Sequence, residues 1–151
     1  MGFDLSAADT RDDPGAPAED YFHATNQLMS DLRGVLVGAG VTDKRVLAKL
    51  VFNEGQTITP RQCRTIAERL TAWLASEDHV APHWDYEQLR AYERRKAKNR
   101  RALPSHITLR DGEREACFYP HPVTQRGLLD TVAELAEFCG RMAERKGIVV
   151  S

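Results

Sequence analysis

The sequence lacks most of the features that would name a chemistry. It has three cysteines, Cys63, Cys117 and Cys139, widely spaced and without a CxxC pair. Extracellular disulfide frameworks use even numbers, so this pattern fits free thiols in a reducing cytosol. No run of 18 apolar residues is present, so no segment reads as a membrane-spanning helix. The opening stretch MGFDLSAADTRDDPG is acidic and has no apolar core, which does not fit a secretory signal. Its Met-Gly start with Ser6 touches the myristoylation pattern and nothing more. No GxSxG, no HExxH and no phosphate-cradling glycine motif occurs. A net charge of −1 argues against a protein dedicated to nucleic acid.

What is present is an ordinary globular composition. The 151 residues suit one domain, and 42% are apolar and 28% charged. A domain of that size buries roughly 70% of the surface its unfolded chain exposes, so it needs neither disulfide nor metal to fold. The charge is unevenly placed. Residues 1–20 carry six acids and one arginine, for −5, whereas residues 90–101 carry seven cations and Glu93, for +6. The expected layout is an acidic strand, loop or mobile arm over residues 1–20, followed by a single globular domain over 21–151.

Local patterns fill in the elements. Phe3-Asp4-Leu5 reads as a short strand, and residues 6–20, rich in Asp, Ala, Pro and Gly, as a loop. A helical pattern begins at Asp20 with Phe22, Met29, Leu32 and Leu36 on one face, and Gly38-Ala39-Gly40 stops it. A capping threonine flanked by apolar residues at staple spacing then recurs three times: Thr42 with Val41 and Val46, Thr59 with Ile58 and Cys63, and Thr124 with Val123 and Leu128. Thr59 is the fullest case, because Pro60 suits the first helical position and Gln62 completes a capping box. The helix after Thr59 has a stripe of Cys63, Ile66, Ala67, Leu70 and Leu74, with Arg61, Arg64, Glu68 and Arg69 on its other face. A last helix over 125–146 has Leu128, Val132, Leu135, Cys139 and Met142 as its stripe. Arg145 and Lys146 fall in its last turn and Gly147 at its cap. Ile148-Val149-Val150 closes the chain as a strand. Between these helices, residues 106–119 form two β-favouring runs around Asp111-Gly112, a hairpin signal. The fold class expected is α+β: a mainly helical single domain with a small antiparallel sheet, built on the hairpin and joined by terminal strands.

The basic block carries the first candidate site. Asp85 to Arg101 has no Pro or Gly and reads as a helix whose apolar stripe fades after Tyr92. Arg90, Arg94, Arg95, Lys96, Lys98, Arg100 and Arg101 are the candidate contacts for a partner or for nucleic acid. A cation cluster of this kind releases counterions from phosphates. No groove-reading motif accompanies it and no aromatic residues interleave to stack bases, so a solvated face or an acidic protein partner is the simpler reading.

The remaining constellations carry little chemistry. His79 and His83 are four apart, but Pro82 breaks a helix between them and no further ligands are supplied. Cys117 and His121 are separated by Pro120, and nearness in sequence is not the geometry of an activated thiol. Residues 52–59 glance at a calcium loop. With Gly55 in the sixth position, however, the first, third and twelfth would be Leu50, Phe52 and Arg61, none of them a ligand. A turn with Gly55 at an unusual φ is the better reading. No cofactor or metal is expected.

The opening MGFDL, the Asp20-Tyr21-Phe22 triplet, the block NEGQTITPRQCRTIAERL and the tail VAELAEFCGRMAERKGIVV together carry a resemblance. They resemble a family of small uncharacterised phage and bacterial proteins with a Met-Gly-x-Asp start, an Asn-Asp-Gly turn before a helix and a C-terminal Phe-Cys helix. The matching segments cover about a third of the chain. Here Glu54 stands where that turn has Asp, and the tail has no Gly-Gly-Phe. The resemblance implies a phage or mobile-element context, a single domain that spans both termini, and no established activity.

The functional expectation is a small cytoplasmic interaction protein, without catalysis, that binds a protein partner as a modulator or immunity-type inhibitor. The alternatives are nucleic-acid binding through residues 90–101, and an enzyme using Cys117, His121 or His83.

Overall fold

The computed structural model describes residues 2–76, 107–111, 113–118 and 126–151; for 107–111, 114–118, 126 and 127 it describes the backbone alone. Two strands from the N-terminal quarter, one from the middle of the chain and one from the C-terminus build the main sheet. Strand β1 (Gly2–Ala7) pairs antiparallel with β2 (Tyr21–Thr25), and on its other side with the closing strand. Helix α1 (Asn26–Gly38), α2 (Lys44–Lys49), β3 (Gln56–Ile58) and α3 (Pro60–Ala75) follow. A hairpin of β4 (Ile107–Asp111) and β5 (Arg114–Phe118), helix α4 (Arg126–Ala143) and strand β6 (Ile148–Val150) complete the order. The sheet order is β2-β1-β6-β3, antiparallel throughout.

The class is mainly helical α+β with a small antiparallel sheet, as the sequence pattern implies. Its assembly differs on one point. The hairpin is there, with Asp111 opposite Arg114, but it forms a second, two-stranded sheet instead of joining the terminal strands. The chain ends satisfy each other: β1 is flanked on both sides, and Ser151 extends the β1–β6 ladder by exchanging two backbone hydrogen bonds with Asp4.

Alternation decides which sheet face is buried. Phe3, Leu5 and Ala7 of β1, Phe22 and Ala24 of β2, Ile148 and Val150 of β6 and Ile58 of β3 all point into the core. Asp4, Tyr21, His23 and Thr57 occupy the alternate, exposed positions. The core face meets Met29, Leu32 and Leu36 of α1, Cys63, Ile66, Leu70 and Trp73 of α3, and Val132, Leu135, Phe138, Cys139 and Met142 of α4. Phe22 and Phe138 stack at 6.1 Å across this interface. Helices α3 and α4 pack along their lengths, and Ala67 against Gly140 lets them come close.

The helix expected from Asp20 begins instead at Asn26. Residues 21–25 alternate exposed and buried, which is a strand's period. Phe22 shares the helical spacing with Met29 only by coincidence of a seven-residue interval. Thr25 is the cap, accepting from the Leu28 N–H at 3.2 Å. At the other end Gly40 has φ +92°, with Gly40 N–H on Val37 O and Val41 N–H on Leu36 O. This is the Schellman ending, and it explains why glycine stands there. The cap of α2 is Asp43 and not Thr42, since its carboxylate accepts from Arg45 N–H at 2.9 Å. The Thr59 capping box is present in full. The Thr124 cap lies outside the described residues. Among the described residues no helix is long and apolar enough to cross a membrane.

The acidic N-terminal segment is a buried strand followed by a tethered loop. Arg145, in the turn after α4 and not in its last helical turn, binds two aspartates at once. Its Nη1 and Nη2 donate to Asp20 at 2.7 and 3.1 Å, and its Nε and Nη2 donate to Asp9 at 3.0 and 2.7 Å. Thr10 Oγ1 donates to Asp20 at 2.6 Å. Both carboxyls are held below their usual range, Asp9 chiefly by the Arg145 hydrogen bonds and Asp20 by Arg145 and then Thr10; the Arg145 guanidinium is raised in return.

Candidate functional site

None of the side chains singled out for function in the sequence falls where the structure describes it. Arg90, Arg94, Arg95, Lys96, Lys98, Arg100 and Arg101 lie outside the described residues, as do His79, His83 and His121. Cys117 is described by its backbone in β5. The two thiols that are described, Cys63 and Cys139, are buried and free. Burial pushes the Cys63 thiol up to about 12, and drives that of Cys139 above its ordinary value too, with Cys63 nearby adding to the effect. Neither is a nucleophile in the folded state. Among the described residues no group of three or more His, Cys, Asp or Glu side chains is placed to hold a metal.

The described surface does contain one cleft of useful size, between the end of α1 and the start of α3. It encloses about 500 Å³ and is lined by Gly40, Val41, Thr42 and Asp43 on one side and by Thr59, Arg61, Gln62, Thr65 and Arg69 on the other, with Val46 and Ile66 at its floor. Local structure fixes both walls. The Schellman turn at Gly40 swings the chain out of α1 and exposes the Thr42–Asp43 peptide. The capping box sets the first turn of α3, and Gln62 Oε1 also accepts from Lys49 Nζ at 2.9 Å, which ties the end of α2 to the start of α3.

Arg61, Thr65 and Arg69 stand four residues apart along α3 and so form one ridge above the cleft. Eight residues of helix separate the two arginines by about 12 Å along the axis. Arg69 folds toward the turn: a side chain at Gly40 would meet its Nη1 at 3.7 Å. Their neighbour Arg64 is paired with Glu144 at 3.3 Å. Arg61 and Arg69 are exposed and make no ion pair with any described residue. The cleft's one carboxylate, Asp43, is occupied as the α2 cap. The Thr65 hydroxyl donates to Arg61 O at 3.2 Å.

Arginine stays protonated at any physiological pH and is a poor proton carrier, and no imidazole or thiol lines the cleft to act as base or nucleophile. The sequence pattern registers Arg61 and Arg69 only as the polar side of an amphipathic helix. What marks them is the opposing turn, and its position depends on how α1 and α3 pack. The outer sheet face offers little by comparison. Its Asp4–His23 pair, 2.6 Å apart, is exposed on both sides, and Tyr21 is the one large apolar side chain left exposed among the described residues. No family model matches the sequence, and comparison with curated proteins and with solved structures returns no match.

Proposed function

We propose that the chain is a small, non-enzymatic interaction protein that docks a macromolecular partner in the α1–α3 cleft, as a modulator or immunity-type inhibitor of that partner. The observation that carries the reading is the pair of exposed arginines, without an ion pair among the described residues, on one wall of an open cleft lined by no imidazole or thiol. Exposed cations that make no ion pair are available to a ligand's charge. A cytosolic setting accords with the two buried free thiols. The resemblance to small phage and bacterial proteins implies a phage or mobile-element origin and carries no activity of its own.

A photo-reactive residue in place of Thr65, in the full chain within its own cell, tests this. The expected result is one discrete cross-linked macromolecule that is absent when the same residue replaces Thr57 on the outer sheet face. A Thr65 probe that captures nothing, or captures the same species as the Thr57 probe, refutes docking at the cleft.

A further inference from the structure

Building on that docking reading, we infer that the cleft recognises an acidic protein segment in extended form, through two carboxylates about 10 Å apart that pair with Arg61 and Arg69. The spacing follows from the helix. Two guanidiniums on Cα atoms about 12 Å apart do not need to converge on one anion, and each suits a carboxylate bidentately. Along an extended polyproline-type chain, three residues span about 9 Å and return to the same face, so acids three apart meet both arginines once the long side chains adjust. Val46 and Ile66 supply an apolar floor for the intervening residues, and the Thr42 and Thr65 hydroxyls line the walls beside its backbone.

The surroundings favour a short acidic peptide over nucleic acid. The cleft holds about 500 Å³, room for a few residues and not a track for a polymer backbone. No aromatic side chain lines it to stack a base. The chain as a whole has a net charge of −1.

The test uses the full-length protein and the blocked peptide Glu-Pro-Pro-Glu, followed by backbone amide shifts in NMR at low salt. Expected are shifts confined to residues 40–43 and 59–69, absent with Gln-Pro-Pro-Gln. Arg61→Gln and Arg69→Gln should each weaken binding about tenfold, the loss of one charged hydrogen-bonded pair. Both arginines are exposed and unpaired, so these variants should keep the wild-type thermal melt, and a melt that is unchanged makes the binding result interpretable. Binding that survives in R61Q/R69Q, or equal binding of the glutamine peptide, overturns the inference. So does an oligothymidylate that binds the same residues more tightly than the peptide. A Thr65 cross-link without any peptide-induced shift rejects the acidic segment and leaves cleft docking standing; the failure of both rejects both.

Discussion

Replacing Gly147 by alanine tests the sheet's closure more sharply than any core deletion. Gly147 links α4 to β6 at φ +85°, and a Cβ there would lie 2.2 Å from the Ile58 carbonyl oxygen, on the β3 strand that pairs with β6. Two penalties add. The left-handed backbone costs an L-residue roughly 1–2 kcal/mol. Relieving a contact about 1 Å too short moves backbone on both sides, at roughly 1–3 kcal/mol in a packed interior. Together they reach roughly 2–5 kcal/mol, a large share of a domain's usual 5–15 kcal/mol or so. With a urea slope of about 2 kcal/mol/M, the midpoint should fall by roughly 1–2.5 M. Gly55→Ala isolates the first penalty, because Gly55 has φ +78° and nothing within 4 Å. It should cost only about 1–2 kcal/mol. Gly38→Ala, at the end of α1 in open space and at ordinary φ, should gain about 0.5–1 kcal/mol. The entropic effect of losing a glycine in the unfolded chain is common to all three and cancels in comparison. If Gly147→Ala costs no more than Gly55→Ala, the close approach of the α4–β6 turn to β3 is wrong.

Three further outcomes are expected. Asp43→Ala should lower stability by about 1 kcal/mol while Thr42→Ala stays within about 0.5 kcal/mol, and the opposite order in urea melts would return the α2 cap to Thr42. Asp9 and Asp20 have folded pKa values below the ordinary 3.8, so their contribution is complete above that pH and is lost as pH falls through the folded values. Arg145→Met should therefore shift the Asp20 carboxyl midpoint upward in a 13C titration and reduce the acid sensitivity of the urea midpoint below pH 3.8; an unmoved midpoint rejects the clamp. In a Cys117→Ser variant at pH 8, Cys63 and Cys139 should react with a disulfide reagent only as fast as the protein unfolds. A Cys63 thiol near 12 is about one part in ten thousand thiolate at that pH, and prompt labelling of either thiol contradicts their burial.

Much of the framework is legible in the residues because local energetics and tertiary packing agree there. Thr59-Pro60-x-Gln62 carries its own hydrogen bonds, so the start of α3 is written in four residues. The apolar stripes of α3 and α4 and the β-branched tail behave likewise, although Trp73, buried at the contact with the core, goes unremarked in a pattern that ends on Leu74. Strand β2 is where local signals mislead. Five residues offer too little alternation to outweigh a helical pattern continuing into α1, and pairing with β1 decides the matter. Asp43 and Thr42 are both good caps by type, and one residue's difference in where α2 starts selects between them.

The candidate site is less legible. Arg61 and Arg69 are two of many arginines until the Gly40 turn is laid across from them. Arg145 reads as a charge favouring a helix end, yet its partners Asp9 and Asp20 are 136 and 125 residues away in the chain. Composition, capping and periodicity by themselves determined the fold class, three of the four described helices and the closing strand, because those depend on interactions within a few residues or on the sidedness of one element. Only the tertiary structure decided that the two chain ends share a sheet, that the hairpin stands apart from it, and that a pair of arginines faces an open cleft. Such pairings join residues far apart in sequence, and their free energy exists only once the chain has closed on itself.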